Sequence, residues 1–224
     1  MPRKDKAPAK RFVKSTREKI LDAARYIYNR GGSEALTVRS LEIRAKVKAP
    51  TIFWHFGNMG AIADAIVDEA YAGLLSALAT QPPIDDPVSA LYSAARVYRD
   101  FALDNPHLYT TMFIAEDPSR AIGHWQRDTP GRETFEVLER CVRRCIESNA
   151  ISPGDPRAIA VMVWSAAHGQ IALSISGRLI LDRPAFDRLY DRMMVTIVNG
   201  LRQHKLAASG LVDPGHPELY KVEV

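Results

Sequence analysis

Cysteine is scarce: only Cys141 and Cys145 occur among 224 residues, with no CxxC pair and no zinc-ligand spacing. A disulfide-built fold and a structural zinc site are therefore not expected. One helical turn puts both thiols on a single face, a geometry that does not favour a bond between them. They read as small buried apolar residues, with thiol sensing as the sharper alternative. Long hydrophobic runs are missing as well. No uninterrupted apolar stretch approaches the roughly 20 residues of a membrane span, and the basic, polar N-terminus has no signal-peptide core. A cytoplasmic protein with no membrane partner is expected. Catalytic signatures are absent in the same way: no GxSxG elbow, P-loop, dinucleotide fingerprint or HExxH. The six histidines are scattered, with no carboxylate or cysteine at ligand spacing. The expectation is no enzyme, no catalytic residue, no cofactor and no metal. Strand candidates are lacking too, since apolar spacing is helical throughout, and the fold class expected is all-α.

What is present is a segregated charge. Residues 1–55 carry 14 Lys and Arg against 5 Asp and Glu, a net +9, whereas the rest of the chain carries 16 against 21, a net −5. Such asymmetry points to a polyanionic partner for the N-terminal quarter. Four of those cations, Arg39, Arg44, Lys46 and Lys48, fall inside a patterned stretch, Thr37 to Phe56. There Thr37 is a good N-cap, and Val38, Leu41 and Ala45 repeat along one helical face. The pattern breaks at Lys46-Val47-Lys48, and Pro50 restarts it in the first turn of a second helix, where its missing N–H is harmless. That helix is about two turns long and ends in Phe53-Trp54-His55-Phe56 before Gly57-Asn58. A helix so short must be held by its neighbours. Short, basic and presented by a scaffold is what recognition in a major groove requires.

From Lys14 to about Leu75 the chain resembles the DNA-binding domain of the TetR family of bacterial transcriptional repressors. The matching residues are Thr16–Ala24, Gly31, Thr37-Val38, Ala45, Val47 and Pro50–Phe56. The resemblance places Thr51, Phe53 and His55 where the family contacts phosphates or bases; Lys46 and Lys48 at the corner would add charge contacts, and Thr37, Arg39 and Trp54 complete the candidate DNA-binding set. Donors on Thr51 and His55 suit phosphate oxygens and would fix register. Four departures stand out. Lys46 replaces the customary corner glycine, Lys48 a capping serine, Phe53 a tyrosine, and Met59 a phosphate-contacting lysine. Two customary phosphate contacts are thus missing while two cations are gained at the corner.

The remaining chain reads as helices separated by Pro- and Gly-containing breaks. A helix from Ser15 or Thr16 stops at Gly31-Gly32, and one of roughly 20 residues follows the cap Asn58. Others are expected after Asp85-Asp86-Pro87, over His107–Ala115, and from Phe135 to near Asn149. Two long ones run from about Asp155 to Leu181 and from Arg183-Pro184 onward. Glu116–Arg132 is expected to be loop with a brief helix around Trp125. Residues 91–109 and Trp164–Gly169 resemble the C-terminal domain type named for its Trp-His-Gly signature. This implies a ligand-binding and dimerisation domain, and Tyr98, Phe101, Met112, Phe113, Trp125, Leu138, Trp164 and His168 supply its candidate cavity surface. Each of these is also a plausible core residue.

The expected organisation is a flexible basic arm at 1–14, a three-helix helix-turn-helix domain at 15–57, a ligand-binding and dimerisation domain at 58–206, and a tail at 207–224. The partners implied are a palindromic double-stranded DNA operator, a second copy of the chain, and a small, largely apolar effector that releases the DNA. The alternative is a family-like helical dimer that has lost operator binding and acts through a protein partner or as a ligand-binding module.

Overall fold

The structure is a computed structural model and describes residues 14–113 and 129–202. The expected arm, the tail and Trp125 with its surrounding loop lie outside the described residues, Lys14 apart. Among those described there are nine helices and no strand, the all-α class expected from the spacing. They fall into two compact units, Met1–Ile66 and Val67–Val224.

In the first unit, α1 (Thr16–Ala35) starts at a capping box: the Ser15 hydroxyl accepts from the Glu18 amide, and the Glu18 carboxylate accepts from the Ser15 amide. Its end differs from expectation. Gly32 does adopt a positive φ of 66°, but it kinks the helix, which runs on to Ala35. α2 (Val38–Ala45) is capped by Thr37, whose hydroxyl accepts from the Ser40 amide. α3 (Ala49–Phe56) follows after a three-residue corner. The helices close on Ile20, Ala24, Leu41 and Ile52, all fully buried, with Phe56 beside them.

The helix α4 (Met59–Ala79) begins in the first unit and ends in the second. Asn58 caps it, its side-chain oxygen accepting from the Ala61 amide. The second unit continues with α5 (Pro87–Asp104), α6 (Pro106–Phe113), α7 (Pro130–Glu147), α8 (Pro156–Ile175) and α9 (Arg183–Arg202). α7 starts earlier than the sequence suggested. Pro130 and Gly131 form its first turn behind the cap Thr129, where proline leaves no amide unpaired. α8 ends earlier: Gly177, at φ 71°, turns the chain, and residues 176–182 are not helical.

α8 is the one described helix long and apolar enough, by length and composition, to cross a membrane, a property the run-length reading missed. Its Ile159, Val163, Ala167 and Ile171 are buried within the core of this unit. Packed against them are Leu91 and Ala95 of α5, Val142 and Cys145 of α7, and Tyr190 and Met194 of α9. A charged seam joins α5 to α9. Arg99 is buried, lies over the Tyr190 ring, and pairs with Asp100, Asp187 and Asp191. A buried guanidinium needs such partners, because an unpaired one carries a desolvation penalty of several kcal/mol.

Candidate nucleic-acid interface and effector cavity

The corner between α2 and α3 is built against local preference. Lys46 sits in the left-handed region, φ 56°, ψ 41°, a conformation that costs a residue with a Cβ on the order of 1 kcal/mol. Lys48 occupies the N-cap of α3 and makes no side-chain capping bond. The missing acceptor comes from α2: Glu42 Oε1 accepts from the Ala49 amide at 2.8 Å. A carboxylate there also faces the positive end of the α3 dipole. Nothing in the sequence pattern singles out Glu42, because the contact depends on how the corner folds back.

With α3 thus fixed, Ile52 and Phe56 point into the core while Thr51, Phe53 and Trp54 are exposed, Trp54 at 81%. His55 is half-buried and meets the Trp54 ring edge-on, centroids 4.6 Å apart. Thr37, Arg39, Lys46 and Lys48 are exposed as well. Arg44 lies over the Tyr26 ring, 3.4 Å from its centroid, which holds that cation against α1.

In the second unit a cavity with about 60 Å³ of room is lined almost wholly by apolar surface. Tyr98, Phe113, Leu138 and Trp164 are on its wall, and so are Tyr71 and Leu78 of α4 and Phe135 of α7, none of which the sequence reading chose. Phe101 and Met112 are not on the wall; Met112 is buried, and its carbonyl accepts from the Tyr71 hydroxyl at 3.0 Å. His168 lies just behind it, joined through Tyr109 and Tyr98 to Trp164. Burial lowers the His168 pKa, so its ring is neutral at physiological pH. Burial likewise pushes the Cys145 thiol up to about 11, which leaves it unreactive as a nucleophile near neutrality. Among the described residues no group of three or more His, Cys, Asp or Glu is placed to hold a metal ion.

Residues 20–66 match the family described as bacterial regulatory proteins, tetR family, and residues 91–197 match the tetracyclin repressor-like C-terminal domain. The chain belongs to the TetR family. The description matched by the second region is broader than the Trp-His-Gly subtype. Tetracycline repressor protein class D of Escherichia coli is 38% identical over 61 residues, 27% of this chain. Those residues span only 28% of that repressor's length. Among solved structures, a protein of unknown function from Rhodococcus sp. RHA1 superposes with TM-score 0.71 at 23% identity, covering 88% of this chain and all of that one. The fatty acid degradation regulator FadR from Bacillus halodurans gives TM-score 0.67 at 16% identity, over 89% and 99%. At such identities these neighbours establish the TetR-type fold.

Proposed function

We propose that this chain is a ligand-responsive, DNA-binding transcriptional regulator that binds a palindromic operator as a homodimer and represses until a small apolar effector releases it. Residues 15–57 form the DNA-binding domain, and 58–206 form the ligand-binding and dimerisation domain. The observation that carries this reading is α3: two turns long, anchored by Ile52 and Phe56, and bearing exposed Thr51, Phe53 and Trp54 beside Lys46 and Lys48. Thr51 and His55 donate to phosphates, and Thr37 and Arg39 add contacts at the start of α2. Lys46 and Lys48 compensate for the phosphate contacts that Phe53 and Met59 no longer make. The rival reading, a helical dimer that has lost operator binding, is disfavoured by Glu42, because a corner kept in shape despite Lys46 and Lys48 retains a use for that shape.

Dimerisation brings α8 and α9 together with their copies as a four-helix bundle. Met162, Leu173, Leu189 and Val195 are apolar yet exposed on these helices, and Gly169 and Ala166 permit close approach. A two-fold dimer sets recognition helices about 34–36 Å apart on one DNA face. The effector occupies the cavity beside Tyr98 and Trp164. Sites for drug-sized ligands hold about 300–1,000 Å³, so an effector of that size must spread walls now enclosing about 60 Å³. Tyr71 and Leu78 put α4 in that wall, and displacing it moves the helix that leads to the DNA-binding domain. Release requires that ligand bind the displaced state better. A mobility-shift assay on the DNA flanking the coding region tests the proposal: a retarded complex that excess unrelated DNA does not remove is expected, and its absence rejects operator binding.

A further inference from the structure

On α8 the amide of Gln170 is closed off from solvent, and neither its nitrogen nor its oxygen has a hydrogen-bond partner. The residue as a whole is only half-buried, and such a glutamine ordinarily turns its amide to water, because a buried polar group without a partner is destabilising. Exchanging the two amide atoms changes nothing, since both lack a partner. Its neighbour Gly169 is as unexplained within the protomer. Glycine weakens a helix interior, yet a Cβ built at Gly169 meets no atom within 4 Å, so nothing among the described residues requires its absence. Met162, Ala166 and Leu173 follow the same side of α8, spaced three or four residues from one another or from Gly169 and Gln170, and Met162 and Leu173 are exposed although apolar.

Building on the reading of α8 and α9 as the dimer surface, we infer that Gln170 pairs with Gln170 of the partner subunit across the two-fold axis, and so fixes the register in which the two α8 helices meet. Three features select this occupant. The amide needs a donor and an acceptor at once, and a primary amide offers both to its own copy. A two-fold contact brings one residue together from both chains, which suits a self-complementary group. The open space at Gly169 lets two α8 backbones approach closely enough for the side chains to meet. Turning the amide outward from its tucked position is a rotamer change of the kind common at interfaces. Apolar side chains such as Met162 and Leu173 can close in several registers. A buried amide pair among them closes in one, as a lone buried asparagine does in coiled coils.

Subunit exchange between the wild-type chain and a mass-tagged Gln170→Leu chain, read by native mass spectrometry, tests this on the full-length protein. Leucine removes both partners of the pair at once, so the variant is expected to form its own dimer about as tightly as wild type. The mixed dimer leaves one amide unpaired and is expected to fall about fivefold or more below its statistical share. Gln170→Met, unbranched and close in length, is expected to sort in the same way and takes the place of leucine if that variant misfolds. Gly169→Leu fills the open space and is expected to weaken dimerisation by about tenfold or more with helix content unchanged. Mixed dimers at their statistical share put the Gln170 amide outside the contact between copies, which overturns the pairing and leaves the dimer reading standing. A Gly169→Leu chain that dimerises like wild type removes the close approach of α8, and the pairing falls. A wild-type chain that stays monomeric at micromolar concentration overturns the dimer reading itself, and the inference with it.

Discussion

At Lys46 the backbone turns through φ 56°, ψ 41°, a turn that glycine would make without a Cβ penalty. Lys46→Gly is therefore expected to stabilise the helix-turn-helix unit by about 1 kcal/mol while weakening DNA binding. The log–log salt slope should fall by about 0.9 per subunit, one phosphate contact each. Thermal unfolding and salt titration of the variant separate the two effects. A more stable protein with an unchanged slope means that Lys46 does not contact DNA. His168 gives a pH dependence of the opposite origin. Its folded pKa lies below the ordinary value of about 6.5. Between the two values the unfolded chain holds a proton that the folded chain lacks, so stability falls as pH drops below about 6.5. His168→Gln should flatten that dependence in unfolding midpoints taken between pH 7 and 5. An unchanged slope in the variant assigns the effect elsewhere.

Between α2 and α3 the decisive link is Glu42, which supplies the amide acceptor that Lys48 does not. Glu42→Ala should destabilise the first unit by about 1 kcal/mol, the usual worth of a helix cap, and lower operator affinity with it. Glu42→Gln keeps an acceptor and should recover most of the loss; a fully stable alanine variant would contradict the capping role. Much at this scale was legible in the sequence, because caps are local. Ser15, Thr37, Asn58, Asp86 and Asp155 each precede their helix and accept from its first turn. The misreadings came from residues with two meanings. Pro130 and Gly131 look like loop but begin α7, and Gly177 looks innocuous among serines but ends α8. The cavity was only half visible. Tyr98, Trp164 and His168 could be taken from an aromatic-rich pattern, whereas Tyr71 and the role of Tyr109 depend on contacts between separate helices, Tyr71 with the Met112 carbonyl and Tyr109 with His168. Glu42 was invisible for the same reason.

For the molecule as a whole, the charge division of +9 over residues 1–55 and −5 beyond them suits a polyanionic partner for the N-terminal quarter and not for the rest, as the proposed operator binding requires. Exposed Met162, Leu173, Leu189 and Val195 on the last two helices are the apolar surface available to the proposed dimer, and α4 belongs in part to each unit. The measurement that tests this account most directly is a quantitative mobility-shift titration of the DNA flanking the coding region, from about 50 to 200 mM salt, with stoichiometry determined. The account predicts two chains per palindromic site and a log–log slope of about −3.6 or steeper, from Lys46 and Lys48 of both subunits at about 0.9 each. Affinity no greater than for unrelated DNA, even at low ionic strength, would contradict it.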